Sequence, residues 1–80
     1  MVDYLEDIKQ LIAKQFGLEG ESIEEDSYLE ADLNITDLDM EDLLAQIEDK
    51  YQIKIPQAAA SGFKQVSAIV NYLYENVEGT

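Results

Sequence analysis

The stretch Asp32 to Tyr51, DLNITDLDMEDLLAQIEDKY, decides how the rest of the chain is read. It opens on a short polar turn, Asn34-Ile35-Thr36, and from Met40 onward its apolar residues are Met40, Leu43, Leu44, Ile47 and Tyr51. These are the steps of one helical face, so the spacing predicts a helix from about Asp37 to Tyr51. Thr36 suits the N-cap, and Asp37 and Asp39 fall in the first turn, where a carboxylate is favoured by roughly 0.3–1 kcal/mol. Lys50 stands near the other end, as the same dipole prefers. Asp37, Asp39, Glu41, Asp42, Glu48 and Asp49 give the remaining faces a strong negative charge.

The same acids imitate a calcium loop, since Asp37, Asp39, Glu41 and Glu48 match the first, third, fifth and twelfth ligand positions of an EF-hand. The sixth position of such a loop requires glycine for its sharp turn and here holds Asp42. The apolar spacing also demands unbroken helix through the supposed loop. No specific metal site is therefore expected, although clustered carboxylates attract divalent cations loosely because a cation relieves their repulsion.

Composition narrows the function classes. Eighty residues suffice for one domain, 1–80, with one modest core. Cysteine and histidine are both absent. That removes disulfides, thiol catalysis, the commonest metal ligand and the usual general base near neutral pH. Catalysis would then rest on carboxylates, and those here lie on a solvated helix face rather than paired in a pocket, so an enzyme is not expected. No apolar run is long enough to cross a bilayer and no signal-peptide pattern opens the chain, so a soluble, cytoplasmic monomer is expected. Eighteen acidic residues face five lysines, with no arginine, for a net charge of −13. Such a surface repels nucleic acid and anionic membranes and attracts proteins with basic patches.

On either side of the central stretch the chain reads as more helix. Tyr4, Leu5, Ile8, Leu11, Ile12 and Phe16 form an apolar face from Asp3 to Phe16, with Asp3 as cap, Glu6 in the capping-box position and Gly17 as the stop. Leu18 to Ile35 is a long connection of low periodicity, pinned to the core by Leu18, Ile23, Leu29, Leu33 and Ile35, which lets the first two main helices run antiparallel. Gln52 to Pro56 has strand propensity but nothing to pair with, and Pro56 can open a short helix over Gln57 to Ala60. Phe63 is expected to plug the core ahead of a last helix from about Gln65 to Glu75, and the tail Glu78 to Thr80 to fray. Ser22, Ser27, Ser61 and Ser67 read as loop or cap residues. The expected fold is all-α: a small bundle of three main helices and one short one, with a long loop between the first and second. Its expected core is Leu5, Ile8, Ile12, Leu43, Ile47, Val66, Ile69, Val70 and Leu73.

Several of these features, taken in order, resemble the acyl carrier protein family. They are Phe16-Gly17-Leu18 at the end of the first helix, the long loop, Asp32-Leu33, the acidic helix, Ile53-Lys54-Ile55-Pro56, and Val66 to Leu73. The resemblance implies a non-enzymatic partner of fatty-acid or polyketide-type biosynthesis, which presents its acidic second helix to basic enzyme surfaces. Leu38 and Asp39 match the family's recognition residues, and Glu41, Asp42 and Glu48 extend that partner-binding surface. Family members carry phosphopantetheine on a serine at the start of this helix, in a Gly-Ala-Asp-Ser-Leu-Asp turn. Here the turn is Asn34-Ile35-Thr36-Asp37-Leu38-Asp39. Asp37 thus stands at the serine's position, and a carboxylate cannot form the usual phosphodiester, so no phosphopantetheine is expected. Asn34 replaces the glycine and tolerates unusual backbone angles, while Ile35 is large enough to crowd a modifying enzyme. Thr36 offers a hydroxyl one residue early, turned by ~100° about the helix axis and suited to capping instead. The alternative is an acidic scaffold or regulatory module of the same fold, unrelated to acyl transfer.

Overall fold

Four α-helices carry the fold in the computed structural model, which describes residues 3–78. The first, α1 (Tyr4–Phe16), starts at Asp3, whose carboxylate accepts the Glu6 N–H at 3.1 Å. Glu6 does not complete a capping box; its own carboxylate accepts from the Gln10 amide at 3.5 Å. Gly17 ends the helix at φ 68°, a left-handed conformation in which a side chain would be strained. The residues of α1 that are fully buried are Tyr4, Ile8 and Ile12, spaced four apart. Leu5, expected in the core, is only half-buried beside it, and Tyr4 takes its place because the ring sits on the inner line of the helix.

The connection is pinned as its apolar residues predict: Ile23, Leu29, Leu33 and Ile35 are buried and Leu18 packs against them. Part of it is regular, with one 3-10 turn at Gly20–Ser22. It is also knitted to α4 (Val66–Leu73), which has no side-chain cap. The Val66 N–H donates to Ser27 O at 3.1 Å and the Ser67 N–H to Glu25 O at 2.8 Å, while Leu29 N–H donates to Lys64 O at 2.9 Å. Loop carbonyls thereby satisfy donors that a helix start otherwise leaves to water. Tyr28 and Gln65 form an isolated antiparallel bridge at the same place. Further on, Asp32 accepts the Tyr28 N–H at 2.7 Å, and Asn34 adopts φ 58°, the unusual angle its residue type permits.

The second long helix, α2 (Asp37–Tyr51), runs unbroken, so no calcium loop is formed there. It lies antiparallel to α1: Gln46 bonds Gln15 at 2.7 Å, near the end of α1, and Tyr51 bonds Asp7 at 2.9 Å, near its start. Leu43 and Ile47 are fully buried, whereas Met40, Leu44 and Tyr51 are half-buried at the edges of the face. Gln52 closes α2 at φ 54°. The Gln52 to Pro56 segment forms no strand and leads into α3 (Gln57–Ala60). Phe63 stacks edge-on against Tyr72 at 5.5 Å between ring centres and packs on the core. The last helix is shorter than the expected Gln65 to Glu75 and continues as a π-helical turn, Tyr74–Glu78. Of the tail Glu78 to Thr80 that was expected to fray, Glu78 belongs to that turn, and Gly79 and Thr80 lie outside the described residues.

Three tyrosines tie the ends of these helices together. The Tyr4 ring meets Tyr51 at 5.5 Å and Tyr74 at 4.9 Å, both edge-to-face. Burial first, then the hydrogen bond to the Asp7 carboxylate and its negative charge, push the Tyr51 phenol well above its ordinary pKa. The folded state therefore holds this proton more tightly than the unfolded chain. Stability contributed by Tyr51 is present below pH about 10, the unfolded value, and is lost as pH rises above it. Tyr51→Phe should lower stability by roughly 1 kcal/mol at neutral pH and flatten the alkaline loss. Denaturant melts at pH 7 and in the alkaline range check this; equal alkaline slopes for both proteins would defeat it.

Candidate functional site: the start of the acidic helix

The chain enters α2 through Thr36, whose extended backbone (φ −79°, ψ 171°) makes it the N-cap. Its hydroxyl accepts the Asp39 N–H at 3.2 Å and donates to the Asp39 carboxylate at 3.0 Å. The same carboxylate accepts the Thr36 N–H at 3.2 Å, completing a reciprocal capping box. Two side chains of the turn are thus committed to holding it. Thr36 was recognisable as a cap from sequence; the matching use of Asp39 was not, because the usual partner is Glu or Gln.

Asp37 is the first residue of α2 and is exposed. Among the described residues, no hydrogen bond or ion pair engages its carboxylate. Beside it Leu38 is 73% exposed, the most exposed large apolar side chain among the described residues. Glu41 and Asp42 also face solvent. Glu48 differs from them: half-buried, it accepts the Ile55 N–H at 2.7 Å and anchors the chain that leads to α3. Of the residues singled out in the sequence, then, Asp37, Leu38, Glu41 and Asp42 project freely, whereas Thr36, Asp39 and Glu48 have structural partners. Ile35 points inward and is 2% exposed, so it does not crowd the surface as its size suggested.

Two grooves meet at this point. The larger, about 800 Å³, lies between α2 and the Ile55 to Lys64 stretch and is walled by Leu38, Met40, Leu44, Ile55 and Phe63. The smaller, about 250 Å³, is bordered by Tyr28, Leu29, Glu30, Ala31 and Ile35. Asp37, Met40, Phe63 and Lys64 border both. Tyr28, half-exposed and bordering the smaller groove but not the larger, and Lys64, the one cation among the described residues that line either groove, were not marked by the sequence. A lone tyrosine in an acidic loop was the only hint of the first.

The solvated carboxylates repel one another at low ionic strength. Added salt or millimolar magnesium should therefore raise the melting temperature, as a thermal scan would register. A melting temperature indifferent to both would count against that repulsion.

A family model described as "Phosphopantetheine attachment site" matches residues 6–73. The chain belongs to the acyl carrier protein family. The acyl carrier protein of Onion yellows phytoplasma is 38% identical over 71 residues, which cover 89% of this chain and 93% of that protein. The acyl carrier protein of Wolinella succinogenes is 31% identical over the same shares of the two chains. A solved structure of the acyl carrier protein from Enterococcus faecalis superposes with a TM-score of 0.77 over 91% of this chain and 92% of that one. At 22% identity that likeness concerns the fold. As a member of a family of carriers in acyl biosynthesis, the chain has no catalytic activity of its own. Acyl carrier proteins normally bear phosphopantetheine and interact with biosynthetic enzymes. None of the described helices is long and apolar enough to cross a membrane.

Proposed function

We propose that this acyl carrier protein relative serves fatty-acid or polyketide-type biosynthesis in the cytoplasm by docking alone, without phosphopantetheine. The supporting observation is Asp37, exposed as the first residue of α2, where resemblance to the family puts the serine. A carboxylate there cannot become the phosphodiester. The neighbouring hydroxyl, that of Thr36, is engaged on both sides by Asp39, so the residues present do not fit covalent attachment. What remains is a surface for a basic partner: Leu38 as apolar anchor, Glu41 and Asp42 as free charges, and Asp39 and Glu48 as charges tied to the fold.

The intact mass of the protein purified from its own cells is the direct test, with the unmodified mass expected. Glu41→Lys should impair docking to a basic partner and leave the fold untouched. Asp39→Lys is the poorer probe, because it also breaks the capping box. An acidic scaffold with no tie to acyl metabolism is the second reading, and the loss of the attachment hydroxyl at Asp37 favours it equally. The two separate on whether a serine at position 37 is modified.

A further inference from the structure

We propose that Asp37 makes this chain a non-transferable competitor for phosphopantetheinyl transferases, binding them in place of carriers that can accept the arm. The proposal rests on the docking reading above and adds to it a specific occupant and a regulatory effect. Three features at the start of α2 carry it.

The turn is held in shape by Thr36 and Asp39, so its presentation to a partner does not depend on the residue at position 37. Asp37 is exposed, with its carboxylate unengaged among the described residues, whereas the carboxylates of Asp32, Asp39 and Glu48 are all in use. It also stands where the two grooves meet, with exposed apolar anchors on both sides, Leu38 bordering one groove and Tyr28 the other.

The occupant follows from charge complementarity. An enzyme that moves the arm from coenzyme A must hold a pyrophosphate, and it does so with cationic groups placed beside the incoming hydroxyl. A carrier that offers a carboxylate at that point puts an anion among those cations. It can attack nothing and receives no arm, so it leaves unchanged. Because the carboxylate and the pyrophosphate draw on the same cations, the chain binds best to a transferase not loaded with coenzyme A.

The test is a competition assay: a broad-specificity phosphopantetheinyl transferase, coenzyme A and the Enterococcus faecalis acyl carrier protein as acceptor, with this chain added. We expect the apparent KM for the acceptor to rise with kcat unchanged. Asp37→Asn, folded by circular dichroism, should inhibit about tenfold more weakly, as befits loss of one charge-assisted contact. Tyr28→Ala should also inhibit less. More coenzyme A should relieve inhibition by the parent but not the residual inhibition by Asp37→Asn. Unchanged acceptor kinetics with the chain in large molar excess would overturn the proposal. So would equal inhibition by Asp37→Asn, which leaves α2 docking without any part for the carboxylate. Either outcome can occur while a serine variant of this chain is still modified, so this proposal can fail with the docking reading intact.

Discussion

Ile47→Ala should destabilise the protein by roughly 2–5 kcal/mol, the range for removing a large aliphatic side chain from a packed core. Ile47 lies on the inner line of α2 with no exposed surface, in one apolar cluster with Ile8 and Ile12 of α1 and Ile69 and Leu73 of α4. Its truncation leaves a cavity inside that cluster, and a bundle of this size has few ways to collapse around it. Domains are typically stable by only about 5–15 kcal/mol, so the loss removes a large share of the total. For a chain of this length each kcal/mol moves the melting temperature by about 4–8 °C. The midpoint of a denaturant melt should fall with its slope unchanged. A melt superimposable on the parent's would contradict this account of the core.

That position was readable from the spacing of apolar residues because Ile47 stands between Gln46 and Glu48, polar neighbours that leave no rival apolar residue beside it. The face of α1 is broader, with Tyr4 and Leu5 adjacent, and 3.6-residue periodicity does not choose between them. The choice falls to long-range contacts of the Tyr4 ring with Tyr51 and Tyr74. The loop shows the same division. Its apolar anchors were evident, whereas its carbonyls capping α4 were not, since backbone hydrogen bonds between residues some 40 positions apart leave no local mark. At the site, Thr36, Asp37 and Leu38 followed from turn chemistry and family resemblance. Glu48 looked like one more surface acid. Only the passage of Ile55 beside it gives its carboxylate a backbone N–H to accept. Tyr28 joins the site through the fold of the loop, which brings it to a groove that Asp37 also borders.

Asp37→Ser should convert the chain into an acceptor of phosphopantetheine. Serine supplies the hydroxyl that attacks the coenzyme A pyrophosphate, and Leu38, Glu41 and Asp42 remain exposed as the docking surface. The substitution should be mild for folding. It removes a charge–dipole interaction of roughly 0.3–1 kcal/mol, while the capping box between Thr36 and Asp39 is untouched. Incubated with a broad-specificity transferase and coenzyme A, the variant should gain the mass of one arm and the parent should not. Two neighbours could interfere in principle, and the structure distinguishes them. Ile35 is buried, so shortening it would open the core without freeing the surface. Asn34 is exposed and held at φ 58°, where glycine fits as well, so Asn34→Gly is the appropriate companion change. If the variant carrying both changes folds and still stays unmodified, α2 is not read by the transferase, and the scaffold reading takes the place of docking in acyl biosynthesis. If the parent itself gains an arm, Thr36 is the first residue to map, and carriage does not require a serine at position 37.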